Sequence, residues 1–425
     1  MEEIKEIDKK NLLAPKLRFG NFKGNWGRNK LGAISDISKL AGYEYTKHVV
    51  YSDIGKTIAL RAMNIKKNSL DLREVKYIDC SDFSKLGRSK LFIGDLMFTY
   101  IGANIGDVAL INENDRFYHA PNVARIRSNS KFLNYNYLIQ YFNIPKFLKQ
   151  EIYSFIASSS QPALSMESLR KFEISIPALP EQQKIASFLS AVDEKIQQLC
   201  RKKELLVQYK KGVMQQLFSG NLRFTNENGK AFSKWEEKIL DNIIERTSTG
   251  LNPRKNFLLG SGNNYYVTIK NISNGKLDFS NAERINDEAI ELIKKRSDLR
   301  KNDIIMASIG NVGDAYLLNY DPNNWNINES VFMLRASNKI LPKYLYYIIT
   351  NDFSKRYFES NSTGSSFKSI KLRELKLLPI NLPNIIEQKK IADYLSNLDN
   401  KIDSVNTQIT QTQNFKKGLL QQMFV

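Results

Sequence analysis

The sequence predicts an α/β protein in which two mixed α/β domains are separated by two long antiparallel coiled-coil helices, an internal repeat with pseudo-two-fold character. Three observations predict it. The segment Glu181 to Phe218 (EQQKIASFLSAVDEKI…KKGVMQQLF) returns 206 residues later, without a gap, at Glu387 to Phe424 (EQKKIADYLSNLDNKI…KKGLLQQMF). Sixteen of the 38 aligned positions are identical, and such self-similarity marks a duplicated architecture. Apolar residues in both copies follow a 4-3 spacing, which is a coiled-coil seam. The stretches upstream alternate short β-rich runs, glycine turns and helical patches.

In chain order, residues 1–164 form the first variable domain, with 1–16 as an N-terminal arm. Leu17-Arg18-Phe19 with Trp26 opens it, and the same opening returns as Leu222-Arg223-Phe224 with Trp235 at the start of the second domain, 222–370. The run GDLMFTYIGANIGDVAL (Gly94 to Leu110) is echoed by NDIIMASIGNVGDAYLL (Asn302 to Leu318). In each, a β-rich stretch ends in Gly-Asn and Gly-Asp turns. Aromatic, basic helical patches follow at Asn134 to Gln150 and Pro342 to Phe358, then the polar loops Ser158 to Gln161 and Ser362 to Ser366. A repeated strand and long helix occupy 165–221 and 371–425. Pro177, Pro180, Pro379 and Pro383 mark the helix starts, since proline is tolerated in a first turn but not inside. Gly220 is the stop signal of the first helix. Asn384-Ile385-Ile386 precedes Glu387 where the first copy runs straight from Leu179-Pro180 into Glu181, which leaves the second start open.

The first seam is Leu189, Val192, Ile196, Leu199, Leu206, Val213 and Leu217. The second is Ile391, Leu395, Leu398, Ile402, Val405, Ile409, Leu419 and Met423. Two seams of matching length most simply bury each other, helix two folding back along helix one. Ile196 and Ile402 are then expected inside the seam.

Composition narrows the function. With 425 residues and 42% apolar content the chain can bury a sizeable core. No run approaches the ~18 apolar residues of a membrane helix, and the charged start MEEIKEIDKK is unlike a signal peptide, so a cytoplasmic protein without membrane contact is expected. Two distant cysteines, Cys80 and Cys200, make no disulfide framework or zinc site. Sixty-three Lys and Arg against 44 Asp and Glu leave +19, which points to a polyanion, nucleic acid first.

Catalytic signals are missing. Gly55-Lys56-Thr57 lacks the earlier glycine that a phosphate-wrapping loop needs, Val50 standing in its place. Asn252-Pro253-Arg254 is not the Asn/Asp-Pro-Pro-aromatic run of an amino-methyltransferase. Neither of the two histidines, His48 and His119, is paired at metal-binding spacing, and no metal or catalytic residue is assigned. What remains is binding chemistry, in which Lys and Arg meet phosphates while Arg, Asn, Gln, Ser and Thr read base edges. Candidate DNA contacts in the first domain are Arg61, Asn64, Lys66, Lys67, Asn104, His119, Asn122, Arg125, Ser159, Ser160 and Gln161. In the second they are Arg254, Lys255, Lys270, Asn271, Asn311, Asn328, Ser330, Thr363, Ser365 and Ser366. Lys210, Lys211, Gln215 and Gln216, with Lys416, Lys417, Gln421 and Gln422, keep identity while the helix middles drift, so they are candidates for holding partner subunits. The alternative for these eight is that they pack the neck of each domain.

The passages SLRKFEISIPALPEQQKIASFLSAVDEKI (Ser168 to Ile196) and KLRELKLLPINLPNIIEQKKIADYLSNLDNKI (Lys371 to Ile402) resemble the repeated regions of the specificity subunit (S, HsdS) of type I restriction-modification systems. The Glu-Gln, Lys-Ile-Ala and Asp-x-Lys-Ile elements carry the resemblance, and they occur twice. It implies a non-catalytic reader of double-stranded DNA whose two target recognition domains each contact half of a bipartite, asymmetric sequence. It further implies that two modification subunits dock on the repeats, bringing S-adenosylmethionine and adenine methylation, and that two restriction subunits can join, bringing ATP, Mg2+ and cleavage. No cofactor is then expected on this chain. The residues alone leave two alternatives open: a stand-alone DNA-modifying nuclease with a cryptic metal site, and a protein-interaction scaffold that ignores DNA.

Overall fold

The computed structural model describes residues 14–39, 45, 47–153, 163–254, 256–364 and 367–425. The chain divides into two compact units, one of residues 1–200 with 406–425 and one of residues 201–405. In the first the order is β1 (Gly27–Lys30), α1 (Leu31–Ile34), β2 (Ser35–Ser38), β3 (Ile58–Leu60), β4 (Ile65–Lys66), β5 (Ser69–Leu70), β6 (Lys76–Tyr77), β7 (Leu96–Thr99), β8 (Val108–Leu110), β9 (Phe117–His119) and β10 (Val123–Ser128). Then come α2 (Tyr135–Tyr141), α3 (Pro145–Phe147), α4 (Met166–Lys171), β11 (Glu173–Ile176) and the first part of α5 (Leu179–Phe218).

The strands form a four-stranded sheet β2-β10-β7-β8, a three-stranded sheet β6-β3-β9, and the pairs β1-β11 and β4-β5. Side chains alternate across a strand, and β7 uses both faces. Leu96 and Phe98 join Ala124, Ile126, Tyr137 and Phe172 in one core, while Met97 joins Ile58, Leu60 and Phe117 in another. Burial on both sides is why β7 reads as a continuous apolar run rather than an alternating one.

The second unit repeats the plan after the end of α5. It runs β12 (Glu236–Ile239), β13 (Ile244–Thr249), β14 (Asn264–Val267), β15 (Ile272–Ser273), β16 (Lys276–Leu277), β17 (Glu283–Ile285), α6 (Asp287–Lys294), β18 (Ile304–Ala307), β19 (Ala315–Leu317), β20 (Trp325–Ile327) and β21 (Val331–Ala336). It closes with α7 (Pro342–Thr350), α8 (Asp352–Ser360), α9 (Leu372–Lys376), β22 (Pro379–Leu382) and α10 (Ile385–Gln422). The sheets are β13-β21-β18-β19 and β17-β14-β20, with pairs β12-β22 and β15-β16. Ile304 and Met306 face one core and Ile305 the other, as in β7.

The long helices start and stop for local reasons. Pro180 sits in the first turn of α5, and Gly220 follows its end at φ +75°, a left-handed conformation that favours glycine. The inserted Asn384 caps α10, its side-chain oxygen accepting the Glu387 N–H at 3.0 Å. This fixes the helix start at Ile385.

Within each unit the two helices run antiparallel. In unit one Ile185 and Leu189 share a core with Leu419, Met423 and Phe424, and Lys416 donates to Asp193 at 2.6 Å. In unit two Val213 and Leu217 share a core with Ile391 and Leu395, and Lys210 donates to Asp399 at 2.6 Å. The two ion pairs are one pair repeated at the 206-residue offset.

The expected burial of Ile196 and Ile402 needs correction, because both are only half-buried. Neighbouring seam positions are buried, Leu189 and Leu395 at 0% and Leu199 and Val405 at 5% and 3% exposed. Ile196 and Ile402 keep one side open to solvent. Leu395→Asp is therefore expected to cost several kcal/mol, the desolvation of an unpaired carboxylate, and Ile402→Asp clearly less. Thermal melting of the two variants checks the ranking, and equal losses would contradict it.

Candidate nucleic-acid interface

Glycine turns build the centre of the site. In unit two the β18–β19 hairpin turns through Ser308 to Asp314, with the Asp314 N–H on the Asn311 carbonyl at 3.0 Å. Gly313 has φ +93°, and a Cβ there would meet the Phe358 ring at 2.9 Å, so glycine is required. Two other segments fasten to this turn, and a third fastens to one of those. The Ser308 N–H reaches the Ser330 carbonyl at 3.0 Å, the Gly310 N–H reaches the Lys368 carbonyl at 2.9 Å, and the Gly250 N–H meets the Asn328 carbonyl at 3.1 Å. Residues 250, 308–314, 328–330, 363–364 and 367–369 thus form one loop cluster at the strand ends.

Unit one repeats the cluster. Its β7–β8 turn has the Asp107 N–H on the Asn104 carbonyl at 3.0 Å; the Tyr100 N–H lies on Asn122 at 3.3 Å, and the Leu164 N–H on Tyr100 at 2.8 Å. Asn122, at φ +70°, is exposed beside it. Lys66 and Lys67 stand next to the turn, where their charges draw the Asp107 carboxyl down while burial, the larger effect, raises it. Lys270 is exposed, and its neighbour Ile269 approaches Gly310.

The cluster therefore brings together Lys66, Lys67, Asn104 and Asn122 in one unit and Lys270, Asn311, Asn328, Ser330 and Thr363 in the other. Arg254 is exposed nearby in sequence to Gly250. Arg61 is half-buried and donates to the Glu74 carbonyl at 3.1 Å. Ser159, Ser160, Gln161, Lys255, Ser365 and Ser366 lie outside the described residues.

Four candidates are corrected as base readers. Asn64 is buried and its amide donates to the Asp71 and Glu74 carbonyls, both at 2.9 Å. Asn271 does the same with Asp278 at 2.9 Å. These asparagines cap their own turns. His119 is fully buried; desolvation, with the Arg125 charge beside it, pushes its imidazole down to about 4, so the ring is neutral near pH 7. Arg125 is 7% exposed and pairs with Asp36. The equivalent strand positions in unit two are Ile327 and Met333, so His119 and Arg125 are a polar variation inside a core.

The eight helix residues divide. Lys210 and Lys416 serve the internal ion pairs described above, so their repetition has a structural cause. Lys211 and Gln215 both reach Asp352 of α8, at 3.2 and 3.1 Å. Gln216 and Gln422 lend carbonyls to Leu222 and Leu17, at 3.0 and 2.9 Å, while their side chains, with Lys417 and Gln421, are exposed. The neck-packing alternative thus accounts for half of the set.

Other residues matter more to the site's rigidity. Glu181 and Glu387 are buried and accept from Arg18 at 2.7 Å and Arg223 at 2.7 Å. Gln182, 0% exposed, accepts the Asn134 N–H and donates to the Phe132 and Pro177 carbonyls, all at 2.9 Å. Gln388 repeats this with Leu341, Lys339 and Pro383 at 2.9, 3.1 and 2.9 Å. The Glu-Gln pair fastens each recognition domain to its helix, and its identity in both copies was the signal that could have found it.

Two loop-bearing α/β domains in tandem, each clamped to a long helix, define a duplicated architecture of the same plan. The comparisons specify its family. The chain belongs to the type I restriction modification DNA specificity domain family, whose model matches residues 29–207 and 233–413. It is 24% identical over 95% of its length to a Methanocaldococcus jannaschii protein named as the type I restriction enzyme MjaX specificity subunit, covering 94% of that protein. It is 25% identical over 68% of its length to the Escherichia coli type I restriction enzyme EcoBI specificity subunit, covering 65% of it. The fold matches the crystal structure of a type I restriction-modification S subunit from M. genitalium with a TM-score of 0.59, at 16% identity, over 97% of this chain and 99% of the other. Among the described residues, no helix is long and apolar enough to cross a membrane.

Proposed function

We propose that this chain reads a bipartite, asymmetric DNA target, each unit contacting one half, and recruits two modification subunits and up to two restriction subunits. The observation that supports this best is the repeated loop cluster, with one backbone frame in both units but different side chains, as expected of readers of different half-sites. Methylation through S-adenosylmethionine, and cleavage with ATP and Mg2+, would then reside on the recruited subunits. The helices supply a second repeated feature suited to paired partners. Phe188 and Phe415 are exposed in unit one at positions equivalent to Tyr394 and Tyr209 in unit two, whose hydroxyls lie 2.7 Å apart.

The test is to sequence methylated DNA from a host expressing this chain with its cognate modification subunit. One motif of two separated, unlike halves is expected; a contiguous motif would overturn the bipartite reading. The purified complex should also lose affinity steeply as salt rises, because phosphate neutralisation releases counterions. A scaffold indifferent to DNA would show no such slope.

A further inference from the structure

We infer that Phe367 enters the base stack of the DNA read by unit two. The inference rests on the DNA reading proposed above and deepens it by assigning a stacking side chain. Phe367 is 76% exposed. It lies two residues before Ser369, which exchanges two hydrogen bonds of 2.9 Å with Thr363. The residues that follow it are fastened, since the Lys368 carbonyl accepts from Gly310 at 2.9 Å and the Ile370 N–H reaches Ser308 at 3.0 Å. The ring is thereby held beside the turn that carries Asn311. Gly364 lies at φ +101°, and a Cβ there would lie 2.5 Å from the Phe367 carbonyl oxygen, so glycine is required.

A phenyl ring so exposed gains nothing from the core, and it offers apolar area to whatever meets the loop cluster. Lys368, the next residue, is also exposed. A cation and an aromatic ring side by side, on a chain of net charge +19, suit a polyanion whose broad apolar surfaces are its bases. The lysine meets phosphate and the ring wedges into a base step. Stacking tolerates any base, so Phe367 sets the position and bend of the duplex while its neighbours choose the sequence.

The test uses the complex of the full chain with its modification subunits and target duplexes carrying one 2-aminopurine at successive positions. With the parent, fluorescence should rise at a step in the unit-two half-site besides the adenines acted on by the modification subunits. Phe367→Ala should abolish that rise, spare the others and weaken binding about tenfold, or ~1.4 kcal/mol. Phe367→Trp should keep the signal. Identical profiles and affinities for parent and Phe367→Ala, with target recognition intact, would overturn the inference and leave the DNA reading standing. A parent complex without sequence-specific binding would sink both. If Phe367→Ala instead weakened capture of the modification subunit in sedimentation, the ring would be a protein contact and the inference wrong.

Discussion

Replacing Glu387 by alanine is expected to destabilise unit two by about 3–5 kcal/mol, the cost of breaking a buried ion pair from one side. The Glu387 carboxylate is 0% exposed and holds three donors: Arg223 Nε at 3.0 Å, Arg223 Nη2 at 2.7 Å and Trp235 Nε1 at 2.9 Å. Removing it strands the guanidinium, 28% exposed, and the indole N–H. The midpoint of the unit-two melting transition should fall by on the order of ten degrees. Glu181→Ala should cost less, because among the described residues Glu181 accepts only from Arg18, and Trp26 Nε1 has no hydrogen-bond partner. The double variant Arg223→Met with Glu387→Leu should recover most of the loss, since an apolar pair leaves no charge uncompensated. If the double were as unstable as the single, the cost would come from packing rather than from the stranded charge.

That clamp shows what could be read from the sequence. Leu395 and Leu189 follow the 4-3 spacing and are buried as periodicity predicts, because a seam is a local pattern that burial obeys. Glu387 and Gln388 were visible as repeated residues, yet nothing local told that they fasten Arg223 and Leu341, which lie far away in the chain. Lys210 and Lys416 show the opposite error. Their repetition suggested a partner, but the same signal arises when Asp399 and Asp193 are repeated with them. Asn64 and Asn271 have the chemistry of base readers, and chemistry does not reveal which way an amide points. Here both amides point inward, to cap turns. The glycine turns at Gly106 and Gly313 were legible because a positive φ leaves few choices of residue. The side chains displayed around them depend on long-range pairings such as Gly310 with Lys368, which spacing does not encode.

Exchanging residues 35–164 for the equivalent region of a relative is expected to change one half of the methylated motif completely and leave the other untouched. The junctions follow from the packing. β1 and α1 stay, because β1 pairs with β11 from Gly27↔Ile176 to Lys30↔Glu173, and Gly32 lies against Arg170. Arg18 stays with Glu181, and Trp26 with Phe424 at 6.2 Å between rings. α4, β11 and α5 also stay, so the surfaces proposed to hold modification subunits are unaltered. The donor must supply an aromatic residue at the position of Tyr137, whose ring lies 5.3 Å from that of Phe424, and an amide at that of Gln140, which donates to Asp193 at 2.8 Å. With those contacts kept, the imported loop cluster sits on its native frame and brings its own base contacts. Base-edge contacts discriminate by about 1–3 kcal/mol each, so replacing several at once switches the half-site rather than blurring it. Sequencing of methylated DNA reads the outcome, and co-purification of the modification subunit reports assembly. A chimera that assembled but changed both halves would show that the two units do not read independently. One that folded but failed to hold the modification subunit would place docking on the exchanged domain instead of on the helices.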